Sequence, residues 1–238
     1  MPDPGTPNRA PKVGVLHTVP ALAGTFETMI QEFLPGATQV HLADASLLAD
    51  ARRIGVTQDV SDRVDAHIRS LVDGGAEAVL VTCSSIGEAV EAAAASAGVP
   101  VLRVDEPMAR EAARIAGDAG RDAGRGGRIA VLATLEATLG PTGRLIERAA
   151  ADGTDVDATV VPGAIEARES GDQARHDRLV REAAVAAAAR ADVVVLAQAS
   201  MAAALAGTDL DVPVLTSPPG GVAALAATIR ATPDPEQL

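Results

Sequence analysis

The sequence is almost free of aromatic residues and has a single cysteine. Of 238 residues two are Phe, and none is Tyr or Trp, so base stacking and aromatic cages cannot drive recognition. One cysteine, Cys83, excludes disulfide frameworks and cysteine-rich metal sites. The four histidines, at positions 17, 41, 67 and 176, show no metal-ligand spacing. We therefore expect no metal site.

Positive charge and nucleotide-binding motifs are also scarce. The only lysine, Lys12, opens a predicted strand, which argues against a pyridoxal Schiff base. Neither a P-loop nor a G-x-G-x-x-G motif follows a strand. The net charge of −12 will repel nucleic acid and anionic membrane surfaces. No apolar run reaches membrane-spanning length, and residues 1–11 lack the features of a signal peptide. These absences predict a soluble cytoplasmic protein without nucleic-acid or membrane partners.

Short apolar runs alternate with alanine-rich amphipathic stretches, and hydrophobic residues make up 47% of the chain. This alternation predicts an α/β fold with parallel sheets. The runs also match between the two halves of the chain. VGVLHT (13–18) matches IAVLAT (129–134), AVLVTCSSI (78–86) matches VVVLAQASM (193–201), and GVPVL (98–102) matches DVPVL (211–215). Chance similarity of Ala/Val-rich strands is the alternative, but three matches in the same order favour an internal repeat.

The repeat predicts two pseudo-symmetric, three-layer parallel-sheet lobes that face each other across a cleft. We expect residues 1–11 and 232–238 to be disordered tails. The glycine-rich segment 117–127 should be a loop or a frayed helix end between the halves. The predicted N-terminal lobe comprises 12–104 plus 216–238, because the helix after Pro218-Pro219-Gly220-Gly221 should cross back to it. The predicted C-terminal lobe is 105–215.

Cys83 lies in a polar turn, T-C-S-S, between a predicted strand and a helix. The amides of a helix N-terminus stabilise a thiolate and would lower the pKa of the cysteine. The same amides, with the hydroxyls of Ser84 and Ser85, can hold a carboxylate. An inert buried cysteine is the alternative, although such a residue usually has apolar neighbours.

The equivalent turn of the second half carries Gln198, Ala199 and Ser200. We expect Gln198 to face Cys83 across the cleft, where it can hydrogen-bond a substrate but cannot act as a base. Ser200 could contact a ligand or cap a helix. Thr18 and Thr134 are repeat equivalents at strand ends, which suits paired contacts to a carboxylate.

These motifs resemble the aspartate/glutamate/hydantoin racemase superfamily from about Val13 to Ala223. T-C-S-S sits where the family has its first cysteine, A-T-L-E-A-T (133–138) is similar to its Thr-rich third loop, and L-A-Q-A-S-M (196–201) is similar to L-G-C-A-G-M. The resemblance implies an enzyme that needs no cofactor and acts beside the carboxylate of a small acid, with Thr138 among the binding residues. Dimers are common in the superfamily, so a homodimer is a candidate assembly.

The chain departs from this family at its second cysteine, which is replaced by Gln198. The family's two thiols work from opposite faces of the substrate α-carbon, and that two-base cycle cannot run here. Related arylmalonate decarboxylases keep one cysteine, but it is the second. His17, at the end of the first predicted strand, could supply a base or bind substrate, or could be a plain loop residue. We therefore carry three hypotheses: an isomerase or racemase using Cys83, a one-cysteine lyase, and a small-acid binding protein.

Overall fold

A computed structural model describes residues 10–231, so residues 1–9 of the predicted tail 1–11, and all of the predicted tail 232–238, lie outside the described residues. The carbonyl of Pro11 accepts a hydrogen bond of 2.8 Å from the N–H of Thr38. The ordered fold therefore begins slightly earlier than the end of the predicted tail.

Two four-stranded sheets form the framework, and every neighbouring pair of strands is parallel. The strand order is β2-β1-β3-β4 in the first sheet and β6-β5-β7-β8 in the second, so the topology is repeated. The strands are β1 Lys12–His17, β2 Thr38–Ala43, β3 Ala78–Val81, β4 Val101–Arg103, β5 Arg128–Ala133, β6 Asp155–Val160, β7 Val193–Leu196 and β8 Val214–Thr216. The predicted α/β architecture of two parallel-sheet lobes is confirmed.

Helices cover both faces of each sheet, as parallel strands require. They are α1 Ala23–Phe33, α2 Ala45–Ile54, α3 Gln58–Asp73, α4 Gly87–Ala94, α5 Glu106–Asp122, α6 Glu136–Ala149, α7 Ala164–Glu169, α8 Gln173–Ala188 and α9 Ser217–Ala231. None of the described helices is long and apolar enough to cross a membrane.

The cores are made of side chains from both strand faces. β3 and β7 are wholly buried, with the sequences AVLV and VVVL. Helix α5 packs on the second sheet through Met108 and Ala112. Helix α9 returns to the first sheet, where Val222 and Leu225 pack with Val13 and Leu80. The division of the chain into lobes of 12–104 plus 216–238 and of 105–215 stays a prediction.

The glycine-rich segment is more ordered than the sequence predicts. Helix α5 continues through Gly117 and Gly120 to Asp122. A Cβ atom on Gly120 would lie 2.6 Å from the backbone nitrogen of Gly127, which is impossible without movement. Glycine is needed here because the end of α5 passes directly against the start of β5. Within this segment the backbone at Gly120 therefore packs directly against the backbone at Gly127, and the residues between them form a loop.

Candidate active site

A cleft lies between the two lobes at the carboxyl ends of the central strands, the usual ligand position in parallel α/β sheets. Its volume is about 320 Å³, which is enough for a small molecule. The turns after β1, β3, β5 and β7 contribute to its wall, together with α2 and α7. The lining includes Cys83 and Gln198 from the equivalent turns of the two lobes.

Cys83 lies between β3 and a 3-10 turn, Ser84–Ile86, that leads into α4. Its backbone is still extended, with φ −132° and ψ 116°. The chain turns at Ser84, so the amides of the turn gather around the cysteine. Ser84 and Ser85 also line the cleft, although each side chain is largely buried. The turn thus combines a thiol, hydroxyls and amides in one small region.

Burial raises the pKa of the Cys83 thiol, although the residue as a whole is partly exposed. The hydroxyls of Thr18 and Ser85 and the N–H groups of Ser85 and Ile86 lower the pKa, but they do not outweigh burial. The expectation of a lowered pKa is therefore contradicted. Enclosure of the sulfur disfavours the thiolate more than the turn amides favour it, so the resting group is a thiol.

Thr18, at the end of β1, supplies a buried hydroxyl to the same wall. Its residue is 3% exposed, and Oγ1 has no partner of full hydrogen-bond geometry among the described residues. The hydroxyl still lies near enough to Cys83 to lower the pKa of the thiol. A buried polar group without a partner is costly, so a ligand that bonded to Thr18 would relieve that cost.

The equivalent position in the second lobe is arranged differently. Gln198 Oε1 accepts hydrogen bonds from the backbone N–H of Thr134, at 2.5 Å, and from its hydroxyl, at 2.9 Å. Thr134 is 1% exposed and does not line the cleft. Both donors of Thr134 are thus occupied by Gln198, and a contact between Thr134 and a carboxylate stays a prediction. Gln198 does line the cleft, and its Nε2 is the amide group left for a ligand.

The other predicted binding residues lie at the cleft. Thr138, Ala199 and Ser200 line it. The Thr138 hydroxyl is 3.0 Å from the Ser85 hydroxyl, a hydrogen bond that joins the two lobes. Ser200 provides no side-chain cap to the 3-10 helix Ala199–Leu205. Capping therefore does not explain this serine.

His17 does not reach the cleft. The residue is fully buried, and its Nδ1 and Nε2 atoms are 2.9 Å from Thr82 Oγ1 and 2.8 Å from His41 Nδ1. Thr82, not His17, lines the cleft. Burial, and to a smaller extent the neighbouring His41, lower the pKa of His17 from its ordinary value to about 4. His17 is thus a neutral residue behind the wall, and the structure does not place it among the residues that line the cleft.

The sequence reasoning missed the residues that α2 and α7 contribute. Leu48 and Arg52 come from α2, and Ile165, Arg168 and Glu169 come from α7. These residues lie within helices, whereas the candidate residues were predicted from the polar turns at the ends of strands. Asp44 caps α2 by accepting the N–H of Ser46 at 2.9 Å, which could have marked that helix but not which of its residues reach the cleft.

The arginines at the cleft differ in their partners. Arg52 bonds to Glu169 at 2.9 Å and so connects the lobes across the cleft. The half-buried guanidinium of Arg168 has no acidic partner among residues 10–231. An unpaired guanidinium favours an anionic ligand. Over the same residues, no group of His, Cys, Asp and Glu could hold a metal ion.

A buried ion pair supports the Cys83 turn from behind. Arg103 donates to Asp105 through Nε at 2.9 Å and Nη2 at 2.7 Å, and both side chains are at most 5% exposed. A Cβ on Gly87 would lie 2.3 Å from the guanidinium carbon of Arg103. Glycine at the start of α4 therefore lets the ion pair lie directly against the turn.

The comparisons with known proteins identify the family and the fold. The model of the Asp/Glu/Hydantoin racemase family matches residues 13–225, so the chain belongs to that family. No curated protein matches the sequence significantly. Solved structures share its two-lobe fold at low sequence identity.

Three of these structures illustrate the range of the fold. Glutamate racemase from Francisella tularensis, in complex with D-glutamate, is 14% identical with a TM-score of 0.69, covering 93% of this chain and 81% of its own. Allantoin racemase from Klebsiella pneumoniae is 17% identical with a TM-score of 0.64, covering 93% and 88%. Arylmalonate decarboxylase is 16% identical with a TM-score of 0.55, covering 94% and 95%.

Proposed function

We propose that this chain is a cofactor-independent enzyme that transfers a proton at the carbon beside the carboxylate of a small acid, with Cys83 as the acid–base group. The observation that carries the proposal is one cleft holding a thiol, a buried unpartnered hydroxyl on Thr18 and an unpaired guanidinium on Arg168. The family's solved relatives include a glutamate racemase with bound D-glutamate, which supports a carboxylate as the ligand.

The carboxylate would be held by polar groups rather than by a metal. Thr18, Ser84 and Ser85 surround the thiol, and Arg168 offers a positive charge from the opposite lobe. Hydrogen bonds to a carboxylate strengthen as negative charge spreads from the adjacent carbon onto its oxygens. The chain is strongly acidic overall, so this local positive charge would select where an anion binds.

With one thiol, proton transfer takes place from one face. Gln198 lines the same cleft as Cys83 and has no proton to exchange near neutral pH. An isomerase that removes and returns a proton on the same face fits this arrangement, whereas a racemase with two thiols does not. His17, behind the wall, does not offer a direct second base.

A one-cysteine lyase is the second candidate, and one observation favours it. Because burial keeps Cys83 protonated at rest, the thiol is ready to donate a proton to a carbanion left by decarboxylation. A non-catalytic small-acid binding protein would use the same cleft with an inert thiol. The cytoplasmic location and the homodimer stay predictions from the sequence.

Proton exchange in deuterated water tests the proposal. A panel of small mono- and dicarboxylates, including malonates, is incubated with the protein, and the C–H beside the carboxylate is followed by NMR. We expect exchange or decarboxylation of at least one acid with fixed stereochemistry. A positioned acid–base group contributes about 10²–10⁴-fold, so Cys83→Ala should lose the reaction by at least this factor, and Cys83→Ser should retain a trace.

Calorimetry on the same panel separates the alternatives. Binding without exchange or decarboxylation by the wild type would identify a binding protein. Full activity in Cys83→Ala would overturn the role of the thiol. Decarboxylation of malonates without isomerisation of other acids would select the lyase. Cys83→Ala should keep the wild-type circular dichroism, which shows that the loss is chemical.

A further inference from the structure

Behind the cleft wall, four side chains form a continuous series of hydrogen bonds that reaches toward the surface. Thr82 Oγ1 is 2.9 Å from His17 Nδ1, His17 Nε2 is 2.8 Å from His41 Nδ1, and His41 Nε2 is 3.0 Å from Gln39 Oε1. The planes of the two imidazoles are 6° apart, as a straight N–H···N bond between rings allows. Thr82 lines the cleft one residue before Cys83.

A main-chain carbonyl fixes the direction of every bond in this series. Gln39 donates its Nε2 to the carbonyl of Glu27 at 3.2 Å, so its Oε1 must face His41 as an acceptor. His41 therefore carries its proton on Nε2 and accepts at Nδ1. By the same rule His17 carries its proton on Nε2 and accepts at Nδ1 from the Thr82 hydroxyl.

The Thr82 hydroxyl can donate its hydrogen bond to His17 without leaving the carbonyl of Leu16 unpaired. Its hydroxyl also lies 3.2 Å from the carbonyl of Leu16, which is a competing acceptor. That carbonyl already accepts the backbone N–H of Thr82 at 3.0 Å. When the hydroxyl donates to His17, the lone pairs of Oγ1 are left to accept a proton from the cleft.

We infer that Thr82, His17 and His41 form a proton relay between the cleft and solvent, with its direction set by Gln39 and the Glu27 carbonyl. In the outward step Thr82 Oγ1 takes a proton from the cleft and passes its own to His17 Nδ1. His17 passes its Nε2 proton to His41 Nδ1, and His41 releases its Nε2 proton to water. One proton enters and one leaves, and both rings change tautomer without gaining charge.

The return step completes the exchange. After the outward step His41 Nε2 is an acceptor facing the Gln39 oxygen, which is also an acceptor. This mismatch favours reversal, in which His41 Nε2 takes a proton from water and Thr82 returns one to the cleft. The relay therefore suits a reaction in the cleft that removes a proton and then replaces it.

The surroundings keep both rings in the neutral form that such a relay needs. His17 packs against Phe26, with ring centroids 5.7 Å apart. Burial and the adjacent His41 lower the pKa of His17 to about 4. Burial also lowers the pKa of His41, and the exposed Glu27 opposes this only in part. His41 is half-buried, so water can reach the outer end of the relay.

Nitrogen-15 NMR of the histidines in the full chain tests the direction without any substrate. At pH 7 we expect both His17 and His41 as neutral Nε2–H tautomers. Gln39→Leu should produce a mixture of tautomers, whereas the exposed control Gln31→Leu should not. An Nδ1–H tautomer or a charged ring in the wild type would overturn the relay, as would unchanged tautomers in Gln39→Leu.

The catalytic part of the inference rests on the proposed function, and it is tested by the exchange assay. His41→Phe should slow exchange at least about tenfold, since a relayed acid–base group contributes less than the direct one. Imidazole added to the buffer should restore part of the rate. His67 lies on α3, outside the relay. The exchange rate of His67→Phe should therefore stay within about twofold of the wild-type rate, a much smaller change than removal of a positioned acid–base group causes.

The outcomes separate the two proposals. A slow His41→Phe variant that imidazole does not rescue would indicate a structural role and overturn the relay. An unaffected His41→Phe variant would also overturn it. If no acid exchanges even with the wild type, the proposed function fails, and the tautomers measured by NMR alone decide whether the directed series of hydrogen bonds exists.

Discussion

The turns after β3 and β7 occupy equivalent places in the two lobes but have opposite hydrogen-bonding states. In the first lobe the thiol of Cys83 and the hydroxyl of Thr18 face the cleft without strong partners. In the second lobe Thr134 donates twice to Gln198. The strand ends of the first lobe thus have polar groups available for a ligand, whereas in the second lobe Thr134, after β5, and Gln198, after β7, bond to each other.

The equivalent ends of β1 and β5 differ in the same sense. His17 in the first lobe corresponds to Ala133 in the second, according to the matched segments VGVLHT and IAVLAT. The first lobe thus has two histidines, His17 and His41, behind the cleft wall. At the position equivalent to His17, the second lobe has only the methyl group of Ala133. The two lobes thus share one strand order but differ in the polar and titratable side chains at their strand ends.

Restoring a thiol in the second turn should change the chemistry most. Gln198→Cys places an acid opposite Cys83 and frees the N–H of Thr134 to stabilise a thiolate. We expect exchange on the second face of the substrate to rise by about 10²–10⁴-fold, the usual effect of a positioned acid–base group. Chiral chromatography of the recovered acid measures racemisation. Gln198→Ala is the matched control, and an equal gain in that variant would contradict the comparison.

The histidines should make the stability of the first lobe depend on pH. His17 has a pKa of about 4 when folded against 6.5 as the ordinary value. Between these values the unfolded chain binds a proton that the folded chain does not, so stability falls as pH falls through this window and levels off below it. The loss from His17 is about 3 kcal/mol, and His41 acts in the same direction.

Urea unfolding at a series of pH values measures this loss. His17→Gln should show a smaller decrease in the free energy of unfolding from neutral pH to pH 4, because glutamine does not titrate. Ala133→Ser changes the equivalent buried site of the other lobe without adding a titratable group and should keep the wild-type slope. Equal slopes in the wild type and His17→Gln would show that His17 is not the group responsible.

The unpaired arginine should matter more for binding than the paired one. Arg168→Gln removes a charged donor whose hydrogen bond to a ligand is worth about 1.5–3 kcal/mol. We therefore expect at least about tenfold weaker binding of a carboxylate by calorimetry. Arg52→Gln should cost less because Glu169 already partly neutralises Arg52. Arg178→Gln, an exposed change on α8, is the control, and an equal loss there would contradict a specific role.

The two threonines should give the smallest effects and the cleanest contrast. Thr134→Val removes the hydroxyl bond to Gln198 and should cost about 1 kcal/mol of folding stability. Thr18→Val removes a buried hydroxyl without a full hydrogen bond, so stability should be unchanged or slightly increased. Chemical denaturation compares the pair directly. A larger loss for Thr18→Val would show that its hydroxyl has a structural partner.

The sequence predicted the sheets well because buried parallel strands are short and apolar, as in AVLV and VVVL. The repeat also placed Cys83 and Gln198 on one cleft. It could not predict the pKa of the thiol, since T-C-S-S shows a turn but not how tightly the sulfur is enclosed. Nor could it show that Thr134 bonds to Gln198, because the two are 64 positions apart.

His17 shows a further limit. A residue at a strand end can point to the cleft or into the layer beside it, and only the neighbouring strand decides. His41, on β2 beside it, takes up one ring nitrogen, and Thr82 after β3 takes up the other. The contributions of α2 and α7 were missed for a related reason, since amphipathic helices reveal their buried face but not the few residues that reach a cleft edge.

The return of α9 to the first sheet also affects how the chain is made. One face of that sheet is covered by Val222, Leu225 and Ala226, which are among the last described residues to leave the ribosome. A nascent chain that ends at Thr216 already has both strand partners of β7 but lacks this cover over β1 and β3. All strands of the second sheet therefore precede α9 in the chain, whereas the sheet that carries the thiol needs α9 to cover one of its faces.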